Sequence, residues 1–92
     1  MTNLNPIHEC NAREVEMMVG KAMCAYANWA YCEDNMHEVK EKVGSEEWLR
    51  QLTAHKSEYE ATIRIIEMFV SDSIYAIQAY VIDRAEEQFG IK

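Results

Sequence analysis

Proline occurs once in this chain, at Pro6, and glycine three times, at Gly20, Gly44 and Gly90. So few turn formers favour long elements joined by few connections. Basic residues are scarce too: nine Lys and Arg stand against 16 Asp and Glu, a formal net charge of −7. With no basic patch to collect phosphates, direct nucleic-acid binding is not expected. A basic protein partner suits this balance better. Long apolar runs are missing as well. The greasiest stretch, MMVGKAMCAYANWAYC at residues 17–32, contains Lys21 and Asn28. It is shorter than the roughly 18 apolar residues that read as a membrane span. The opening MTNLNPIHEC has neither a positive leader nor an apolar run, so no signal peptide is expected.

Cysteine is sparse and odd in number: Cys10, Cys24 and Cys32. If residues 12–32 form one helix, Cys24 and Cys32 sit about 12 Å apart along its axis, at ~1.5 Å per residue. That exceeds the Cα separation of roughly 7 Å that a disulfide tolerates. A reducing, cytoplasmic location is therefore expected rather than an oxidised framework.

What is present is helical. The 92 residues suggest one domain over 1–92, with an irregular N-terminal segment over 1–10. Apolar residues make up 49% and charged residues 27%, a globular rather than a disordered balance. Asn11 and Glu14 have the spacing of a capping box, with Cys10 and Val15 placed as a hydrophobic staple. From there Val15, Met18, Ala22, Ala25, Trp29, Cys32, Met36, Val39 and Val43 recur in steps of three and four. This predicts a first helix over about 12–43, ended by Gly44. Ser45 is placed to cap a second helix over 46–70, with Glu46 and Glu47 near its positive end. Ser71, Asp72 and Ser73 are poor helix formers and suggest a break before a third helix over 73–89, closed by Gly90. The expected fold is an all-α antiparallel three-helix bundle. The alternative is a long two-helix hairpin, unbroken from 46 to 89, that dimerises into a four-helix bundle.

No motif for catalysis stands out, and neither a cofactor nor enzymatic activity is expected. Asp34, Asn35, Met36 and His37 give one Asp-x-x-His, where the di-iron bundles need paired Glu-x-x-His. Folding back at Gly44 would bring His55 level with Glu33 and Asp34, one turn from His37, but the closed spacing of a zinc site is absent. Cys24 and Cys32 stand among apolar residues, where a thiol usually packs rather than reacts. The pairs Glu38/Glu41 and Asp83/Glu86 have the spacing of helical magnesium sites without the flanking residues of the helical nucleotide pyrophosphatases. A metal or nucleotide enzyme is accordingly an alternative reading only. Glu33, Asp34, Glu41 and Glu47 gather acid near the hairpin tip. Carboxylates three or four apart on a helix lie ~5–6 Å from one another, a spacing that imitates phosphates. A nucleic-acid mimic seated in a basic groove is thus the other alternative.

The helix-1 pattern points elsewhere. Glu14, Lys21, Asn28, Asn35 and Lys42 form one polar strip. Before Glu33 the remaining outer positions are apolar or small, so residues 17–32 carry two apolar faces. The second face holds Gly20, Cys24 and Ala27 with Met23 and Tyr31 beside them. Residues 63–82 are broad in the same way and include Tyr75 and Tyr80. Met and Tyr together suit adaptable interfaces. Gly20, Met23, Cys24, Ala27, Tyr31, Tyr75 and Tyr80 are therefore the expected contact residues of a homodimerising module that docks on a larger protein. Cellular regulators and phage-encoded inhibitors of host or defence enzymes share this character, an analogy of size and composition alone.

Overall fold

A computed structural model describes residues 4–10 and 12–90. A 3₁₀ turn at Ile7–Glu9 leads into α1 (Arg13–Asp34), α2 (Met36–Val43), α3 (Ser45–Glu67) and α4 (Ile74–Phe89). The fold is all-helical, with no strand among the described residues. No described helix is long and apolar enough to cross a membrane. The expected cap Asn11 lies outside the described residues. Of the residues expected as a staple, Val15 is buried in the core and Cys10 packs against that core.

The single helix expected over 12–43 is two helices. Asn35 leaves the helical region at φ −114°, ψ 34°. Its side chain competes for local backbone, as Asn does in helix interiors: Asn35 Nδ2 donates to the Tyr31 carbonyl at 3.1 Å. Carbonyls in a last helical turn lack an intrahelical partner. One of them, that of Cys32, accepts from Trp48 Nε1 at 2.7 Å. The break is thereby tied to the first turns of α3, and Lys40 Nζ lies 4.6 Å from the Trp48 ring centre.

Gly44 turns the chain at φ 90°, a conformation that costs other residues a Cβ clash. Ser45 does not cap α3. It is the first helical residue, and Gly44 occupies the cap position without a side-chain bond. The helix expected over 46–70 ends at Glu67, and the unbroken alternative to 89 does not form. The Ser-Asp-Ser run explains both. Ser73 Oγ accepts from the Ala76 N–H at 3.3 Å and caps α4. Asp72 Oδ1 accepts from the Ile7 N–H at 2.7 Å. The Ser71 N–H donates to the Asn5 carbonyl at 3.0 Å. The Ser73 side chain is used for capping, and the Asp72 side chain and the Ser71 backbone N–H hold the N-terminal segment. Gly90 ends α4 in the left-handed region at φ 67°, as C′ glycines do.

The core forms between α1, α3 and α4. Val15, Ile63, Ile66, Ile77 and Val81 are its largest fully buried side chains, and Ile7 closes it from the N-terminal side. Each such side chain contributes roughly 1.5–3 kcal/mol on removal from water. Along the α1–α3 contact, Cys32 meets Trp48, Trp29 faces Lys56 and Tyr59, and Tyr26 faces Tyr59. Residue numbers fall on α1 as they rise on α3. The α2 helix packs on α3 and the end of α1 but not on α4. This leaves a body 52 Å long and 23 Å wide.

Candidate binding groove between α1 and α4

The seam of α1 that carries Val15, Ala22 and Ala25 is consumed by the core. The small residues beside it face α4 instead. A cavity of about 470 Å³ there is lined by Ile7, Cys10, Gly20, Cys24, Tyr80 and Phe89, among others. A second, of about 650 Å³, is lined by Cys24, Ala27, Ala30, Tyr31, Asp34 and Phe89, among others. Cys24 and Phe89 border both, so the two form one groove. It follows α1 from Glu16 to Asn35, about 28 Å at ~1.5 Å per residue. Tyr31, 51% exposed, and Phe89, 44% exposed, stand along it as apolar walls. At Gly20 an added Cβ would meet no atom within 4 Å.

The groove collects five of the seven sequence-derived contact residues in the roles expected of a surface. Gly20 and Ala27 are half-buried, Cys24 and Tyr31 are exposed, and Tyr80 is half-buried in the α4 wall. Met23 is different. At 4% exposure it belongs to the core and borders the groove only from beneath. It neighbours Ala22 on the buried side of α1, so its side chain is used within the chain. Tyr75 is 79% exposed in the first turn of α4 and does not line the groove. Two lining residues, Arg84 and Phe89, escape sequence reading. Arg84 Nη1 donates to Tyr80 Oη at 2.7 Å and its guanidinium lies 5.4 Å from that ring centre. Their i, i+4 spacing allows this pair, but nothing in the sequence places it opposite Gly20.

The acidic residues do not form one surface of equals. Glu33, Asp34 and Glu41 are exposed, on α1 and α2. Glu47 is half-buried and engaged: it accepts from Gln51 Nε2 at 3.0 Å and pairs with Arg50. The Gln51 bond, then the Arg50 guanidinium, hold its carboxyl below the usual range. His37 is exposed and His55 half-buried. Among the described residues no group of three or more His, Cys, Asp or Glu is placed to hold a metal ion. Cys32 is 4% exposed, and burial pushes its thiol up, away from the reactive thiolate.

An aromatic cluster lies in the α1–α3 contact, away from the groove. Tyr26 and Trp29 meet edge to face at 6.1 Å, and each stands within 6 Å of the Tyr59 ring centre. Tyr59 is 3% exposed, and its hydroxyl finds no hydrogen-bond partner among the described residues. Burial, then the neighbouring Tyr26 and Glu60, push its pKa up to about 12. Tyr26 is raised as well, by burial first and then by Glu86, Asp34 and Glu33. No known protein family, curated protein or solved structure matches this chain.

Proposed function

We propose that this chain is a non-catalytic protein-binding module, a small acidic helical regulator or inhibitor that docks on a larger protein through the α1–α4 groove. The helices are read as an antiparallel bundle in which α2 continues the direction of α1. Gly20 is the observation that carries the reading. A glycine in a helix interior costs about 0.5–1 kcal/mol relative to alanine. Here the space an alanine methyl would fill is empty, so the missing side chain serves no packing within the chain. It does lower the wall of the groove where a partner's backbone would approach. Cys24 and Ala27 extend that low wall, and Tyr31, Phe89 and Tyr80 supply larger surfaces around it. Aromatic residues of this kind are enriched in interface anchors.

A partner with a basic surface matches the net charge of −7, and a cytoplasmic setting suits the three unpaired cysteines. The character is that of cellular regulators and phage-type anti-defence inhibitors. The test is affinity capture from lysate with the wild-type chain and with Ala27→Arg, which fills the groove. The expected result is a stoichiometric protein partner retained by the first and lost by the second, at equal melting temperature. No stoichiometric partner, or one held equally by both, would overturn the reading.

A further inference from the structure

The segment before α1 sits on the body as a bound peptide would. The Asn5 carbonyl accepts from the Ser71 N–H at 3.0 Å, and the Ile7 N–H donates to Asp72 Oδ1 at 2.7 Å. Between them Pro6 is extended, at φ −60° and ψ 151°. It has no N–H to leave unpaired, and its ring sets φ in advance. One side chain goes in: Ile7 is 4% exposed and shares the core cluster with Val70 and Ile77. Leu4, Asn5, His8 and Glu9 around it are exposed. Main-chain bonds at alternate positions, with a pocket for the side chain, are how proteins read short extended peptides. Any residue could supply the carbonyl, and any but proline the N–H. The receiving groups, on Ser71 and Asp72, belong to the connection between α3 and α4 and not to the segment itself.

The attachment is thin. Among the described helices, the 3₁₀ turn Ile7–Glu9 packs on α4 alone. A segment held by one buried side chain and two bonds opens well before the whole protein does. We propose that Ser71, Asp72 and the socket of Ile7 form a binding site for a short extended peptide carrying one aliphatic side chain, and that residues 5–7 occupy it as a tethered, displaceable competitor. Tethering holds the segment at an effective concentration in the millimolar range. An outside peptide is therefore weakened in proportion to how rarely the segment is open. Ile7 also borders the groove, but Ser71 and Asp72 do not line it, and the proposal stands apart from the groove reading.

Fluorescence anisotropy with a labelled peptide of residues 4–10, titrated with the full chain, tests it. Ile7→Asp in the chain puts a charge where the socket is apolar and frees the chain's own segment. The peptide is expected to bind this variant at least about tenfold more tightly than the wild type. Adding Asp72→Ala to the variant should weaken binding by about tenfold, and a peptide that itself carries Ile7→Asp should not bind. Ala27→Arg, in the groove, should leave peptide binding unchanged. In the wild type, the amide hydrogens of Ile7 and Ser71 should exchange together and well before that of Ile77. Equal binding to wild type and variant, no binding to the folded variant, or binding that ignores Asp72 or is lost through Ala27→Arg would overturn the proposal. So would an Ile7→Asp chain that cannot fold, or Ile7 and Ser71 amides that exchange only on global unfolding. In either case the segment would be part of the core rather than its ligand.

Discussion

Replacing Tyr59 with phenylalanine removes one oxygen from the middle of the protein. The ring sits against Tyr26 and Trp29, is 3% exposed, and its hydroxyl has no partner among the described residues. A buried polar group left unpaired costs about 1–3 kcal/mol, while the phenylalanine ring keeps the same packing. Tyr59→Phe is therefore expected to stabilise the fold by about 1 kcal/mol at pH 7. For a domain of this size that raises the melting temperature by roughly 4–8 °C. The pH dependence makes the test sharper. Burial pushes the Tyr59 pKa from the ordinary 10.0 up to about 12, so between these values the folded state holds a proton that the unfolded chain has released. The stabilisation from keeping this group neutral is complete below pH 10 and is lost as pH rises through 12. At pH 11 the wild type should have lost about 1.4 kcal/mol from this group, and the variant none of it. Tyr26 is present in both proteins and its contribution largely cancels in the difference. Urea denaturation of the pair at pH 8 and pH 11 measures that difference. If the variant is less stable at pH 7, the hydroxyl has a partner. If the gap does not widen with alkali, the burial argument for its proton fails.

Gly20→Ala should stabilise the chain by up to about 1 kcal/mol, since the new methyl meets nothing and helix propensity improves. A lower melting temperature would mean that the position is crowded. Asp72→Ala removes the acceptor of the Ile7 N–H, a bond to a charged group of about 1.5–3 kcal/mol. The N-terminal segment should loosen, and the half-buried Cys10 thiol should react faster with Ellman's reagent. An unchanged Cys10 rate would show that the bond does not hold the segment. In the wild type, alkylation followed by peptide mass spectrometry should find Cys24 modified first. Cys32 should be modified last, because it is buried and its thiol is raised. Equal rates at the two positions would contradict the burial described for α1.

The helical class and most boundaries are legible in the sequence because they rest on local signals. Gly44 and Gly90 both take positive φ and end helices, and Ser73 caps α4. Asn35 escapes because Cys32, Met36 and Val39 keep the apolar phase across it, and periodicity does not register a change of helix axis. The adjacent Asp34 and Asn35 were the available warning. Residues 71–73 are ambiguous for the same reason: Val70 stays in phase and is buried, although it lies beyond the end of α3. In the groove, the small face of α1 could be read from Gly20, Cys24 and Ala27. Its opposite wall could not, because the position of Phe89 and Arg84 depends on how α4 packs over sixty residues away. Met23 shows the limit of reading a face from a heptad, since the helix turns it further toward the core than its position in the repeat suggests.

Trp48 has a consequence for how the molecule opens. The α2 helix has one buried side chain, Val39, and α4 does not cover it. Its attachment runs through α3 and the indole bond at the Asn35 break. Segments with few buried contacts open locally, well below the free energy of global unfolding. Amide hydrogens of α2 should thus exchange with solvent as one early cooperative group, while those around Ile63 and Ile77 wait for the whole protein to unfold. The chain then comprises a slow-exchanging body of α1, α3 and α4 and a faster-exchanging α2 that opens without disturbing it.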